Sequence, residues 1–190
     1  DSSKWVGFAN YTRAFKDPDI LLAFRNTMLW IIISPVVVTA LGLGLATMLN
    51  KMKREALAKS LIFMPMAISF VGGSLIWNLM YQYQEPEANQ TGLVGQIMKS
   101  LGIPLQHLLL WSPWNNLFLM AVYIWGTTGF GMVILSAAIK GVPSDIVEAS
   151  ALDGAHGWRL FRNITFPMVK GTFIVVLATG VVGALKVFDI

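Results

Sequence analysis

The sequence predicts an all-α protein, a polytopic bundle of membrane-spanning helices, on three observations. Hydrophobic residues make up 55% of the 190 positions and charged residues 13%, with a mean hydropathy of +0.63. A soluble domain carries about 25% charged residues, so this balance belongs to a chain adapted to lipid. Three long stretches in succession contain no Asp, Glu, Lys, Arg or His, and the connections between them alternate between basic and nearly neutral.

Four stretches are long enough to span. A helix rises 1.5 Å per residue, so about 20 apolar residues cross a core of roughly 30 Å. The first is 27–49, "TMLWIIISPVVVTALGLGLATML", the second 60–81, "SLIFMPMAISFVGGSLIWNLMY", and the third 114–139, "WNNLFLMAVYIWGTTGFGMVILSAAI". The fourth covers about 171–188 and carries Lys186 near its far end. One Lys, Arg or Asp at mid-span costs roughly 2.5–3.5 kcal/mol, so three uncharged runs are not accidental. Buried helices of a soluble core fit poorly, because they run shorter and keep a polar face. Pro35, Pro65 and several glycines lie inside the runs. Membrane helices tolerate them, as kinks, close-packing positions or points of flexing.

Charge sets the orientation. The connection 50–59 holds Lys51, Lys53, Arg54 and Lys59 against Glu55, and 140–170 holds Lys140, Arg159, Arg162 and Lys170. The connection 82–113 has Lys99 alone among basic residues, beside Glu85 and Glu87. By the positive-inside rule the first two face the cytoplasm and the third faces outward. Residues 1–26 then form a periplasmic tail. Its Lys4, Arg13, Lys16 and Arg25 run against the rule, but two short loops outweigh one tail. An outside tail expects a further span upstream, and a chain that begins at Asp1 reads as part of a longer polypeptide.

Several function classes are disfavoured. A net charge of +4 without a basic cluster beside aromatics gives no footprint for nucleic acid. The absence of cysteine removes disulfides, thiolate metal sites and cysteine nucleophiles. His107 stands alone in the outer connection, so no metal site is expected. Trp111 and Trp114 suit an interfacial belt, and 93–101 reads as a short amphipathic helix.

The segment 143–167, "PSDIVEASALDGAHGWRLFRNITFP", interrupts this lipid-adapted pattern. Ser144 or Asp145 can cap a helix, with Glu148 three residues after Asp145 as in a capping box. A helix over about 146–153 then ends at Gly154, a left-handed C′ position. A second short helix is expected over about 156–163, with Pro167 in the first turn of the next span. Trp158, Phe161 and Thr165 share one face of it, and Leu160 and Ile164 lie beside them. Two short helices about a glycine bend, lying along the cytoplasmic face, need either the lipid interface or a groove in a partner. Physics alone leaves both open.

These residues resemble a known pattern. Glu148-Ala149-Ser150, three residues, Gly154, then nine residues before Ile164 and Pro167, is similar to the EAA loop of ABC importer permeases. Asp153, Ala155 and Phe161 also fit it. Ser150 stands where the family most often has alanine. "FANYTRAFKDPD" at 8–19 resembles the F-x-N-Y…D-P segment of the carbohydrate (maltose-type) permeases, and Asn26-Thr27, Pro65 and Trp77 match in turn. Residues 70–95 look like the α-glucoside branch. The resemblance covers nearly the whole chain and implies a type I ABC importer permease lacking one flanking helix on each side here.

The resemblance further implies what surrounds the chain. A cytoplasmic ABC ATPase dimer would receive the loop as a coupling helix, through Glu148, Ala149, Ser150, Asp153, Gly154, Ala155 and Pro167. A second permease would complete a heterodimer, and a periplasmic or lipid-anchored binding protein would deliver sugar. The setting would be a bacterial or archaeal plasma (inner) membrane. The chain has no G-x-x-x-x-G-K-[ST] run, so ATP is expected on the partner subunit and the chain is not expected to be an enzyme or to hold a cofactor. Sugar recognition joins aromatic faces to hydroxyls and amides. The candidates on the second and third spans are Ser69, Trp77, Asn78, Tyr123, Trp125, Thr127 and Thr128. For each, interhelical bonding or interfacial anchoring is the plainer role. Lys186 and Asp189 read as a snorkelling or paired surface feature. A permease of this class for another solute, such as glycerol phosphate or an amino acid, is the alternative. A secondary transporter would need ionisable residues in its spans, and these have almost none.

Overall fold

The computed structural model describes residues 7–85, 87 and 89–187. Among them it contains helices and no strand. A short helix α1, Ala9–Ala14, leads to α2, Pro18–Leu49. The Asp17-Pro18 pair starts α2 efficiently. The Asp17 carboxylate accepts the Asp19 amide at 3.0 Å, and Pro18 takes the first turn, where a missing N–H costs nothing. The helix therefore begins well before residue 27, and residues 18–26 of the expected tail are helical.

The expected second span is not one helix. It comprises α3, Glu55–Phe63, a 3₁₀ turn at Met64–Ala67, and α4, Phe70–Met80, with a 97° change of direction. Pro65 cannot donate in an α-helix, and it sits at the start of the 3₁₀ turn. Ile68 is extended, and Ser69 recaps the chain by accepting the Gly72 amide at 3.1 Å. In the outer connection α5, Leu93–Ser100, is the expected short helix. That connection is organised by Gln90, only 6% exposed, whose amide group bonds the backbone of Gln84 and Glu85.

Helix α6, Asn115–Lys140, is followed by α7, Ser144–Leu152. Then come α8, Gly157–Leu160, a π turn at Phe161–Thr165, and α9, Phe166–Leu185. The last three form a continuous helix over Gly157–Leu185 rather than a surface helix followed by a separate span. Pro167 has no N–H for the Asn163 carbonyl, and the wider π turn directly before it absorbs the defect; the Phe166 amide bonds back to Phe161. Among the described residues three helices are long and apolar enough to cross a membrane, and the bent pair supplies a fourth if counted as one span.

Side-chain contacts fix the directions. The Trp30 indole donates to Asn116 at 3.2 Å, and Ser136 donates to Asn50 at 2.6 Å, so α2 and α6 run parallel. Gly180 of α9 lies against Pro35, and Val176 against Gly131, so α9 runs antiparallel to both. The core between them holds Ala46, Leu49, Met132, Leu135 and Val176. Both basic connections consequently lie at the same end of the bundle, as the charge rule requires. Small residues allow the approach. A β-carbon on Gly129 would sit 2.8 Å from the Ile62 carbonyl oxygen, so α3 rests directly on the α6 backbone.

Candidate functional site

Two regions carry the candidate residues. The first is α7 and the turn after it. Its N-cap is Pro143 rather than Ser144 or Asp145, and no side chain caps it. The Ser144 hydroxyl instead turns to the Asp145 carboxylate at 3.3 Å, so the expected capping box does not form. The C-terminus does close on Gly154, at φ +80°. The Gly154 amide bonds the Ala151 carbonyl at 3.0 Å, and the Ala155 amide bonds the Ser150 carbonyl at 2.9 Å. That pair of bonds is a Schellman closure, which satisfies the last carbonyls of the helix. Gly157, at φ +54°, turns the chain a second time before α8.

This geometry sorts the candidate residues. Glu148, Ala149 and Asp153 are exposed, whereas Ser150 is buried with its hydroxyl on the Val147 carbonyl at 2.8 Å. Ala155 is half-buried, and Pro167 is exposed within the helix that follows. Glu148 and Leu152 are four apart on α7 and share a face. Leu152 is 90% exposed and Trp158 is 71% exposed, at the end of the bundle that bears the basic loops. Glu148 and Leu152 thus present an acid and a large apolar side chain on one exposed face of α7. Periodicity did not single out Leu152, because one leucine in a two-turn helix carries no moment. The Trp158 ring stacks on Phe161 at 5.3 Å, and the aromatic line continues through Phe166 to Phe173.

The second region lies between α4, α6 and α9. A cavity of about 330 Å³ is lined by Phe70, Tyr123, Thr127, Phe130 and Thr179 among others, with Lys186 at its edge. A smaller one of about 90 Å³ is bordered by Ser69, Phe70, Trp125 and Thr127. Tyr123 stacks on Phe70 at 6.2 Å and meets Trp30 edge-on at 5.9 Å. Trp77 packs edge-on to Trp125 at 5.6 Å, and its buried indole N–H has no partner. The hydroxyls of Thr127 and Thr128 bond the carbonyls one turn back, at 2.7 and 2.6 Å. Thr128 is buried away from both cavities. Asn78 is exposed and lies in neither. Lys186 is exposed and also borders the larger cavity; Asp189 is outside the described residues.

A helical bundle of this shape, with an exposed loop helix at the basic end, has known counterparts. The family described as binding-protein-dependent transport system inner membrane component matches residues 39–190. The chain belongs to that family. The osmoprotective compounds uptake permease protein GgtC of Synechocystis sp. is 48% identical, covering 100% of this chain and 68% of its own length. The alpha-glucoside transport system permease protein AglF of Rhizobium meliloti is 42% identical, over 98% of this chain and 55% of its own length. A bacterial ABC transporter that imports the acidic polysaccharide alginate shares the fold, with a TM-score of 0.82 at 22% identity, covering 98% of this chain and 64% of its counterpart. The chain spans roughly 55–68% of the length of these proteins. Family membership accounts for the charge-free spans: an inner membrane component must hold its helices in lipid.

Proposed function

We propose that the chain forms half of the translocation path of an ATP-driven sugar importer, and that α7 is its docking element for a cytoplasmic ABC ATPase. The observation that carries this reading is the Glu148–Leu152 face, an exposed acid and an almost fully exposed leucine on a helix closed at Gly154. Leucine anchors in a pocket and glutamate takes a charge-assisted bond from a basic or backbone donor. The family description, which names a binding-protein-dependent system, supports a binding protein outside; a second permease subunit and an ATPase that binds the nucleotide complete the proposed assembly. The chain itself would carry out no chemistry.

Oligosaccharides or α-glucosides are the proposed substrates. A relative named for α-glucoside transport supports this, as do the aromatic walls of the cavity beside Tyr123 and Trp125. The name of the 48% identical relative favours a second reading, in which the cargo is an osmoprotective compound. The assembled complex in proteoliposomes tests both. Uptake should require ATP and the binding protein, and a panel of α-glucosides and osmoprotective solutes should single out the cargo. Uptake driven by an ion gradient without nucleotide would sink the importer reading. Glu148→Ala and Gly154→Pro should lose ATPase association or transport while inserting normally, and Leu152→Ala should weaken association about 30-fold, the effect of an anchor worth roughly 2 kcal/mol.

A further inference from the structure

The basic loop between α2 and α3 does more than mark a membrane side. Lys59 lies just past it, in α3, with its side chain only 15% exposed, and its ammonium has three donors to satisfy. It donates to Asn50 at 2.7 Å, to the Glu55 carboxylate and to the Ser136 hydroxyl. Ser136 in turn donates to Asn50 at 2.6 Å. Glu55 also accepts an ion pair from Lys140 at 2.6 Å. Five side chains thus join the end of α2, the start of α3 and the last turns of α6. Lys140 is the final residue of α6, and α7 begins at Ser144. Farther along, Gly129 seats α3 on α6 a second time. Beyond α3 lie the 3₁₀ break and α4, which borders the aromatic cavity through Ser69 and Phe70.

We propose that this network, centred on Lys59 and Glu55, is the joint that passes displacement of α7 into the broken second span. Helix α3 is held to the last turns of α6, four residues short of the start of α7, at one end and to the α6 backbone at Gly129 at the other. The pair moves as one body, and the hinge is left at Met64–Ala67, where no α-helical bonds resist rotation. Lys59, Glu55 and Ser136 are positioning residues in this scheme, since none borders either cavity or the exposed face of α7. The inference rests on the reading of α7 as the ATPase-docking element.

The test uses the full complex in proteoliposomes and reads the ATP hydrolysed per sugar taken up. Lys59→Met and Glu55→Gln should leave ATPase association and insertion intact. Uptake should fall by about tenfold, the order expected of a coupling residue, while hydrolysis persists, so the ATP-to-sugar ratio rises. Ser136→Ala, which keeps the fold's volume, should move the same ratio in the same direction if Lys59→Met fails to insert. The described chain has no cysteine, so Glu55→Cys with Lys140→Cys can be bridged by a short bismaleimide. Unbridged, the pair should lose uptake; bridged, it should regain it. A normal ratio in Glu55→Gln and Ser136→Ala, or a bridged pair as inactive as the unbridged one, overturns the proposal. A wild-type complex that transports without ATP overturns the docking reading first, and this one with it.

Discussion

Gly42 of α2 faces Gly131 of α6 so closely that a β-carbon on Gly42 would lie 2.9 Å from the Gly131 carbonyl carbon. Backbone is the obstacle, so no side chain can swing away. Lipid offers little hydrophobic drive for helix association, and packing of this kind holds the bundle instead. Gly42→Ala should destabilise the protein by about 1–3 kcal/mol through overpacking. Gly44, two residues on, has open space around it. Gly44→Ala should be neutral or stabilising, since alanine favours a helix by about 1 kcal/mol. Thermal unfolding in detergent compares the two, and equal midpoints would contradict the packing account.

The Glu55 carboxyl, at the first residue of α3 beside the basic loop, is held below the usual carboxylate range. The Lys140 hydrogen bond is the largest cause, and Lys59 adds to it. A carboxyl with a lowered folded pKa contributes stability above its unfolded pKa and loses it as pH falls through the folded value. The unfolding midpoint of the wild type should therefore exceed that of Glu55→Gln at neutral pH, and the gap should close as the pH drops below the ordinary glutamate range. A gap that widens in acid would reverse the sign.

The spans were legible because uncharged length is a composition signal, and α6 follows it closely. The break in the second span was not. Pro65 announced a defect, but Pro35 is an equal defect inside an unbroken α2. What separates them is Ser69, which recaps the chain, whereas Pro35 itself packs against Gly180 of α9 within an unbroken helix. Gly154 was readable because a helix end needs a left-handed residue. The capping box was not, because Pro143 fixes the chain direction before Ser144 can turn back. The candidate residues of the spans divided by helix face. Asn78 and Trp77 are neighbours in sequence, yet one meets solvent or lipid and the other meets Trp125. Of the Lys59 network only the i,i+4 pair with Glu55 is local, since Asn50 and Ser136 meet Lys59 only in the packed bundle.

Gly154 adopts φ +80° with nothing within 4 Å of a β-carbon placed on it. Its replacement costs conformational energy alone. Gly154→Ala should lose about 1–2 kcal/mol at the Schellman turn, and Gly154→Asn less, because asparagine tolerates the left-handed region. Transport should fall in that order, Gly→Ala below Gly→Asn, while membrane insertion is unchanged. Crosslinking of α7 to the ATPase subunit gives the direct reading, and equal yields for both variants would contradict a role for the turn.

Trp125 and Asn78 give the sharpest contrast among the candidate residues of the proposed substrate path. Trp125 borders the smaller cavity and braces Trp77, while Asn78 lies on the exposed side of α4. An aromatic face contributes about 1 kcal/mol to a stacked partner, so Trp125→Ala should raise the apparent KM for uptake roughly fivefold to tenfold. Asn78→Ala should leave KM unchanged. Tyr123→Phe separates the ring from its hydroxyl, whose bond to the Gly180 carbonyl is long at 3.4 Å. Keeping the ring keeps the stack on Phe70, so uptake should survive this change far better than Tyr123→Ala. Concentration-dependent uptake by the assembled complex measures all four. An Asn78→Ala defect matching that of Trp125→Ala would move the path to the other face of α4, away from the aromatic cavity.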